Sequence, residues 1–178
     1  MEFDISTIVD GKGHRPYGLA AINQRAHALQ TALLAERAGC DAASITAALL
    51  HDIGHMVHDL GQDPAAAGID DRHEELGHIW LLQWFGPEVT EPVRLHVAAK
   101  RYLCAMEPDY FARLSTDSVR SLTLQGGPMS LGEVAAYRAN PHAEAATRLR
   151  RFDEGAKVKG LETPGVAHFL RYAKACAR

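Results

Sequence analysis

The pair His51-Asp52 follows the apolar residues 48–50 and constrains the fold more than any other feature of the sequence. Burying an imidazole and a carboxylate without partners is costly. A metal ion removes that cost for both, because imidazole supplies a nitrogen ligand and a carboxylate can bridge two cations. His55 lies one helical turn beyond His51 and points to roughly the same side. The pair therefore predicts a buried metal site.

Apolar residues recur with helical spacing along most of the chain, and no segment shows convincing strand alternation. A first helix is expected from Gly18 to Ala38, and a second one, capped by Asp41 or Ser44, carries the His-Asp pair. Further helices are predicted over 72–85, 88–103, 108–124 (one or two short ones), 130–139, 141–152 and 166–176. Residues 61–68 and 125–128 are expected to form a loop and a turn. The fold class is predicted to be all-α.

Length and composition indicate one ordinary domain with ample core. The chain has 178 residues, of which 47% are hydrophobic. We predict a single domain over residues 1–178, with 1–16 as an N-terminal extension. The net charge of −3 argues against a nucleic-acid partner. No apolar run is long enough for a membrane helix, and the N-terminus lacks the features of a secretory signal.

The three cysteines are Cys40, Cys104 and Cys176, and they show no CxxC spacing. An odd number without a pattern argues against a disulfide framework, so we expect a reducing cytoplasm as the setting.

Four more candidate ligands lie in helical context: His27, His73, His96 and Asp153. Taken singly, His27 fits a core histidine, His73 a first-turn surface residue and Asp153 a solvated acid at a helix end. The ordered series across separate helices is a stronger signal than any member. It predicts a two-metal site that also includes His51 and Asp52.

Several segments resemble a known family, the HD-domain oxygenases that split carbon–phosphorus bonds. They are Tyr17 with residues 21–27 (AINQRAH), residues 47–55 (AALLHDIGH), residues 96–103 (HVAAKRYL) and residues 125–129 (QGGPM), together with Arg150 and Asp153. The resemblance implies a helical HD domain with a mixed-valent Fe2+/Fe3+ pair and O2 as co-substrate. It also implies a small phosphonate as the substrate.

The resemblance assigns a ligand set to each iron. The first iron would be held by His27, His51, Asp52 and Asp153. Asp52 would bridge to a second iron, which His73 and His96 would also hold. Tyr17 matches a tyrosine that occupies the open position of the second iron until substrate arrives, although a packing aromatic is a fair competing interpretation.

The resemblance also implies an anion pocket for the phosphonate. Lys100, Ser118, Ser121 and Arg150 match its binding positions, and His55 matches a nearby polar contact. A phosphonate dianion suits an ammonium, a guanidinium and hydroxyl donors. Lys100 lies four residues after His96, so one helix face should present both. The two serines fit helix capping or solvation equally well.

One position departs from the family pattern. The glycine-forming relatives carry a glutamate that binds a primary ammonium where this chain has Ala20. The absence of this glutamate favours a methylated head group on the substrate, which needs apolar or aromatic contact. The resemblance therefore indicates 1-hydroxy-2-(trimethylamino)ethylphosphonate as substrate and glycine betaine as product, with glycine as the alternative product. Candidates for the aromatic contacts are Tyr17, Tyr102, Trp80 and Trp84.

Two other functions remain open from the residues alone. A hydrolytic HD enzyme would use the same ligands on divalent metals to activate water against a phosphomonoester or nucleotide. A non-catalytic domain with a degenerate site is disfavoured because all six ligand positions are filled. Tyr17 and the segments at 96–103 and 125–129 favour the oxygenase. Its catalytic residues would then include Tyr17, His55 and Asp52.

Overall fold

The computed structural model describes residues 2–17, 21–57 and 68–178. These residues form eleven helices, so the all-α prediction is confirmed. The helices are α1 (Glu2–Lys12), α2 (Gln24–Arg37), α3 (Ala42–Leu50), α4 (Gly54–Val57), α5 (His73–Leu81), α6 (Pro87–Met106), α7 (Pro108–Arg113), α8 (Thr116–Leu124), α9 (Leu131–Arg138), α10 (Ala143–Gly155) and α11 (Val166–Cys176). In this part of the chain no helix combines the length and apolar character that crossing a bilayer requires.

The longest helix, α6, packs against α3, α5 and α10, and α2 packs against α3 and α10. The core that these helices enclose with α11 holds large side chains with no exposed surface, such as Leu50, Phe85 and Phe169. Most of the candidate ligands lie on these central helices or at their ends. The packing that buries the core therefore also fixes the site.

Local capping chemistry sets where the helices begin. The helix predicted over 18–38 corresponds to α2, which begins at Gln24 because the Asn23 side chain accepts a hydrogen bond from the Ala26 N–H and caps it; residues 18–20 lie outside the described part of the chain. Asp41 caps α3 in the same way, which settles the choice between Asp41 and Ser44. The three cysteines are free, as expected from their spacing.

Two helices, α1 and α4, were not predicted. In α1, Ile5 and Val9 are fully buried in the core, and the helix packs against α2, α4 and α11. The segment 1–16, expected to be an extension, therefore contributes at least Ile5 and Val9 to the core. The predicted loop over 61–68 lies outside the described residues except for Gly68.

Gly54 lies where α4 makes its closest approach to α5. A Cβ at this position would lie 1.9 Å from the backbone carbonyl oxygen of His73, which no side-chain rearrangement can relieve. We expect Gly54→Ala to cost about 3 kcal/mol, a fall of roughly 6–12 °C in Tm. Thermal unfolding measures this. Gly11→Ala is the matched control, because its Cβ meets nothing within 4 Å and its Tm should not fall. Equal Tm values for the two variants would contradict the close approach.

Candidate metal centre and substrate cavity

Five structural elements supply the six predicted ligands. His27 lies in the first turn of α2, His73 begins α5, and His96 lies in the middle of α6. His51 and Asp52 occupy the turn between α3 and α4, and Asp153 lies in the last turn of α10. All six side chains belong to residues that are at most 8% exposed. The structure thus brings residues from distant parts of the sequence into one buried cluster.

The first ligand group consists of His27, His51 and Asp153. The Nε2 atoms of His27 and His51 are 3.1 Å apart. Asp153 Oδ1 lies 3.3 Å from His27 Nε2 and 3.9 Å from His51 Nε2. Three donor atoms that converge at these distances suit a single cation.

The second ligand group consists of Asp52, His73 and His96. The two imidazole Nε2 atoms are 3.1 Å apart, and Asp52 Oδ1 lies 3.6 Å from that of His73 and 3.5 Å from that of His96. The other oxygen, Asp52 Oδ2, faces the first group at 3.3 Å from His51 Nε2 and 3.6 Å from His27 Nε2. The Asp52 carboxylate therefore stands between the two groups in the position of a bridging ligand.

Hydrogen bonds at Nδ1 fix the orientation of all four imidazoles. The Nδ1 of His73 donates to the Asp71 carboxylate, and the other three donate to backbone carbonyls. A carbonyl oxygen only accepts, so Nδ1 donates in His27 (to Ala156), His51 (to Ala48) and His96 (to Val93), at 2.7–2.9 Å. In each neutral ring the lone pair is then on Nε2. Two Nε2 lone pairs at 3.1 Å cannot bond to each other, but they can share a cation. Nδ1 bonds of this kind are the usual support of metal-binding histidines.

The electrostatics of the cluster also favour cations. Burial opposes ionisation of Asp52, but neighbouring His51 and His96 outweigh it and hold the pKa of this carboxyl well below its usual range. Burial likewise opposes ionisation of Asp153, whose pKa is lowered by Arg150 and His27. Asp153 Oδ1 is buried without a hydrogen-bond partner. Four imidazoles and two ionised carboxylates are a suitable donor set for two metal cations.

A cavity of about 150 Å³ lies beside the two ligand groups. Its wall includes four of the six ligands, Asp52, His73, His96 and Asp153. Every predicted substrate-binding residue also lines it: Tyr17, His55, Lys100, Ser118, Ser121 and Arg150. A molecule in this cavity would therefore reach the metal centre and the candidate anion site together.

Lys100 supplies a buried cation on the cavity wall. The residue is 3% exposed, and its ammonium donates a hydrogen bond to Ser121 Oγ at 2.8 Å. Burial and the nearby Arg150 lower the pKa of Lys100 to about 7. An anion bound here would stabilise the charged form, so the site suits a phosphonate.

Arg150 lines the cavity and also contacts a candidate metal ligand. Its guanidinium donates to Asp153 Oδ2, to Glu154, to Tyr110 Oη at 3.0 Å and to Ser118 Oγ at 3.3 Å. Two carboxylates already offset its charge. It therefore orients the candidate ligand Asp153 as well as lining the candidate anion site.

Tyr17 packs face to face on a metal-ligand ring. Its ring and that of His27 have centroids 3.9 Å apart and an interplanar angle of 17°. Burial and the charges of Asp153 and Asp52 raise the pKa of the Tyr17 hydroxyl well above its usual value, so the phenol stays protonated. This contact is with the first ligand group, and coordination of the second iron by Tyr17 stays a prediction.

The aromatic candidates for a head-group site divide into two sets. Of the four, Tyr17 lines the cavity, whereas Trp80 and Trp84 pair with each other at 4.6 Å against the core and Tyr102 stacks on Tyr137. These three do not line the described wall. Ala20, on which the head-group inference rests, lies outside the described residues.

Sequence reasoning missed several polar residues at the site. Asp71 accepts hydrogen bonds from His55 and from His73. Lys157 lines the cavity and donates to Ser115, Ser118 and Glu154. An acid two residues before His73 and a lysine four after Asp153 were the available signals. Neither follows from periodicity, because both depend on how a loop or helix end is placed.

The HD-domain family model matches residues 25–139, which is more than half of the chain and includes five of the six ligands. The chain belongs to the HD-domain family. It is 45% identical to the hydroxymethylphosphonate dioxygenase of Gimesia maris over 157 residues, covering 88% of this chain and 78% of the relative. It is 44% identical to the [1-hydroxy-2-(trimethylamino)ethyl]phosphonate dioxygenase (glycine-betaine-forming) of Leisingera caerulea, covering 95% of this chain and 86% of the relative.

A third relative is an uncharacterized protein of Acanthamoeba polyphaga mimivirus. It is 32% identical over 138 residues, covering 76% of this chain and 63% of the relative. The two named similarities confirm the predicted resemblance to HD-domain phosphonate dioxygenases and the prediction of an oxidoreductase of this type.

Proposed function

We propose that the protein cleaves the carbon–phosphorus bond of a 1-hydroxyphosphonate with O2 at a mixed-valent Fe2+/Fe3+ pair. The observation that carries this proposal is the position of Asp52. Its two oxygens face two separate ligand groups, at 3.3–3.6 Å from four imidazole nitrogens. Iron in such a set supplies the electron transfer to O2 that hydrolytic metals lack.

The residues of the chain bind and orient the substrate in this proposal. Lys100 and Ser121, which are hydrogen-bonded to each other, hold phosphonate oxygens together with Arg150 and Ser118, which form a second such pair on the cavity wall. The C1 hydroxyl would then face Asp52 and the other candidate ligands on the cavity wall, which would hold the irons. Such positioning places the scissile bond at the metal centre. Tyr17 shields the first ligand group, and His55 contacts the substrate from the wall that it shares with His73.

The reaction balances with a single molecule of O2. C1 is oxidised from an alcohol to a carboxylate, the C–P bond breaks, and phosphorus leaves as phosphate. All four electrons that O2 accepts come from the substrate, so no external reductant is consumed. One phosphate should therefore be released for each O2 used.

We propose a trimethylammonium head group, which gives glycine betaine. Ala20 removes the carboxylate that would bind a primary ammonium, and Leisingera caerulea supplies a relative named for this substrate. A second candidate, hydroxymethylphosphonate, is favoured by one observation. Quaternary ammonium sites usually use several aromatic rings, but Tyr17 is the one tyrosine on the described wall, which includes no tryptophan or phenylalanine.

Anaerobic and aerobic assays of the iron-loaded protein test the proposal. We expect equal amounts of O2 consumed and phosphate released from a 1-hydroxyphosphonate, and no phosphate without O2. Comparing kcat/KM for trimethylamino, primary amino and unsubstituted substrates identifies the head group. Oxygen-independent phosphate release from a phosphomonoester would instead support the hydrolase and contradict the oxygenase.

A further inference from the structure

One carboxylate, that of Asp71, holds two imidazoles on the cavity wall. Its Oδ1 accepts a hydrogen bond from His73 Nδ1 at 2.9 Å, and its Oδ2 accepts one from His55 Nδ1 at 2.7 Å. The two rings stack, with centroids 3.9 Å apart and an interplanar angle of 19°. The Asp71 side chain is 8% exposed, so little water competes for these bonds.

His73 differs from the other three ligand histidines in what supports it. Those three rings donate from Nδ1 to backbone carbonyls. Replacing the side chain of the accepting residue does not remove its backbone carbonyl. The support of His73 is a side chain, and it keeps the ring's lone pair on Nε2, facing His96 Nε2 at 3.1 Å. A substitution at Asp71 can therefore remove the support of one metal ligand and leave the other ligands intact.

The same carboxylate fixes a residue that is not among the six ligands. His55 lines the cavity beside His73, and its Nδ1 is engaged by Asp71. The ring is then held in one orientation on the wall. A shift of Asp71 would move a metal ligand and this wall residue together.

We propose that Asp71 is a positioning residue that fixes His73 toward the second iron and His55 toward the substrate as one unit. This rests on the proposed function for the substrate, but the metal part does not require turnover. No hydrolytic or oxidative step passes through Asp71 itself. It acts by supplying two acceptors to two Nδ1–H donors.

The variant Asp71→Asn separates this role from a general effect on stability. Asparagine offers one carbonyl acceptor, and its amide NH2 cannot accept, so the two Nδ1–H donors compete for one oxygen. A ring that faces the NH2 instead must shift its proton to Nε2, where metal binding is blocked. Asp71→Asn should therefore weaken retention of one of the two irons about 10- to 100-fold and raise KM.

Removing the competing ring should restore iron binding. In the double variant His55→Ala with Asp71→Asn, the asparagine carbonyl accepts from His73 Nδ1 without competition from the His55 ring. We expect this double variant to retain iron better than Asp71→Asn alone in competition with a chelator. Its KM should equal that of His55→Ala alone, because the substrate effect of Asp71 passes through His55. If Asp71 has a purely structural role, the double variant should retain iron no better than Asp71→Asn alone.

The measurements are iron per chain against chelator concentration, and KM with a 1-hydroxyphosphonate. Asp109→Asn is the matched control on an exposed acid of α7 and should match the wild type in both. Wild-type iron retention in Asp71→Asn, or no restoration in the double variant, would overturn the proposal. If the wild type lacks O2-dependent cleavage, the proposed function fails, while iron retention still tests Asp71.

A measurement on the unaltered protein does not depend on the folding of any variant. Nitrogen-15 NMR of histidine-labelled, zinc-loaded protein reports which ring nitrogen carries the proton. The proposal requires a proton on Nδ1 of both His55 and His73. A His73 ring without that proton would overturn it.

Discussion

Replacing Asp52 with alanine should remove iron from both ligand groups and abolish turnover. The two oxygens of this carboxylate face both groups, at 3.3–3.6 Å from their imidazole nitrogens. Its loss leaves three protein ligands around one iron and two around the other. Iron analysis after gel filtration should fall from two per chain to less than one, and O2 consumption should become undetectable.

The control for this variant is Asp109→Ala, which removes an exposed acid from α7. It should retain both irons and full activity. Circular dichroism of Asp52→Ala should show the helical content of the wild type, because the core helices do not depend on this side chain. Two irons per chain and measurable turnover in Asp52→Ala would show that Asp52 does not bridge the two irons.

Replacing Lys100 with methionine should weaken substrate binding and leave the irons in place. Methionine fills the space of the lysine stem, so the buried site is not emptied. The loss of a charged hydrogen-bond donor costs about 1.5–3 kcal/mol, a roughly 10- to 150-fold rise in KM. Lys159→Met, on an exposed lysine, should leave KM unchanged. An unchanged KM in Lys100→Met would contradict the anion site.

The same variant should change the pH profile. Burial and Arg150 lower the pKa of Lys100 to about 7, so the free enzyme loses this ammonium as the pH rises through that value. For the wild type, kcat/KM should fall above it, approaching about tenfold per pH unit. Lys100→Met should lack this limb. If kcat/KM of Lys100→Met still falls above about pH 7, the titrating group is not Lys100.

The six candidate ligands named from the sequence cluster in two groups in the structure, because the chemistry of buried histidines and carboxylates leaves few alternatives. An adjacent histidine and aspartate after an apolar helical run need buried partners. In the structure His51 and Asp52 lie in the turn between α3 and α4, each in one of the two ligand groups. Helical spacing also placed Lys100 on the same wall as His96. These inferences depend on periodicity and burial, which are local properties of the chain.

Features that depend on tertiary placement were not predictable in this way. The core role of α1 depends on Ile5 and Val9 meeting α11 and α4, far away in sequence. Trp80 and Trp84 have the right chemistry for a cationic head group, but both are partly buried against the core instead. Nothing in the loop sequence around Asp71 indicates its proposed role, which depends on the hydrogen bonds that it accepts from His55 and His73.

Anomalous diffraction at the iron absorption edge tests the central claim most directly. Crystals of the iron-loaded protein should show two anomalous peaks on opposite sides of the Asp52 carboxylate. One peak should lie within bonding distance of His27, His51 and Asp153, and the other within bonding distance of His73 and His96. A single peak, or peaks away from these side chains, would contradict the two-iron centre.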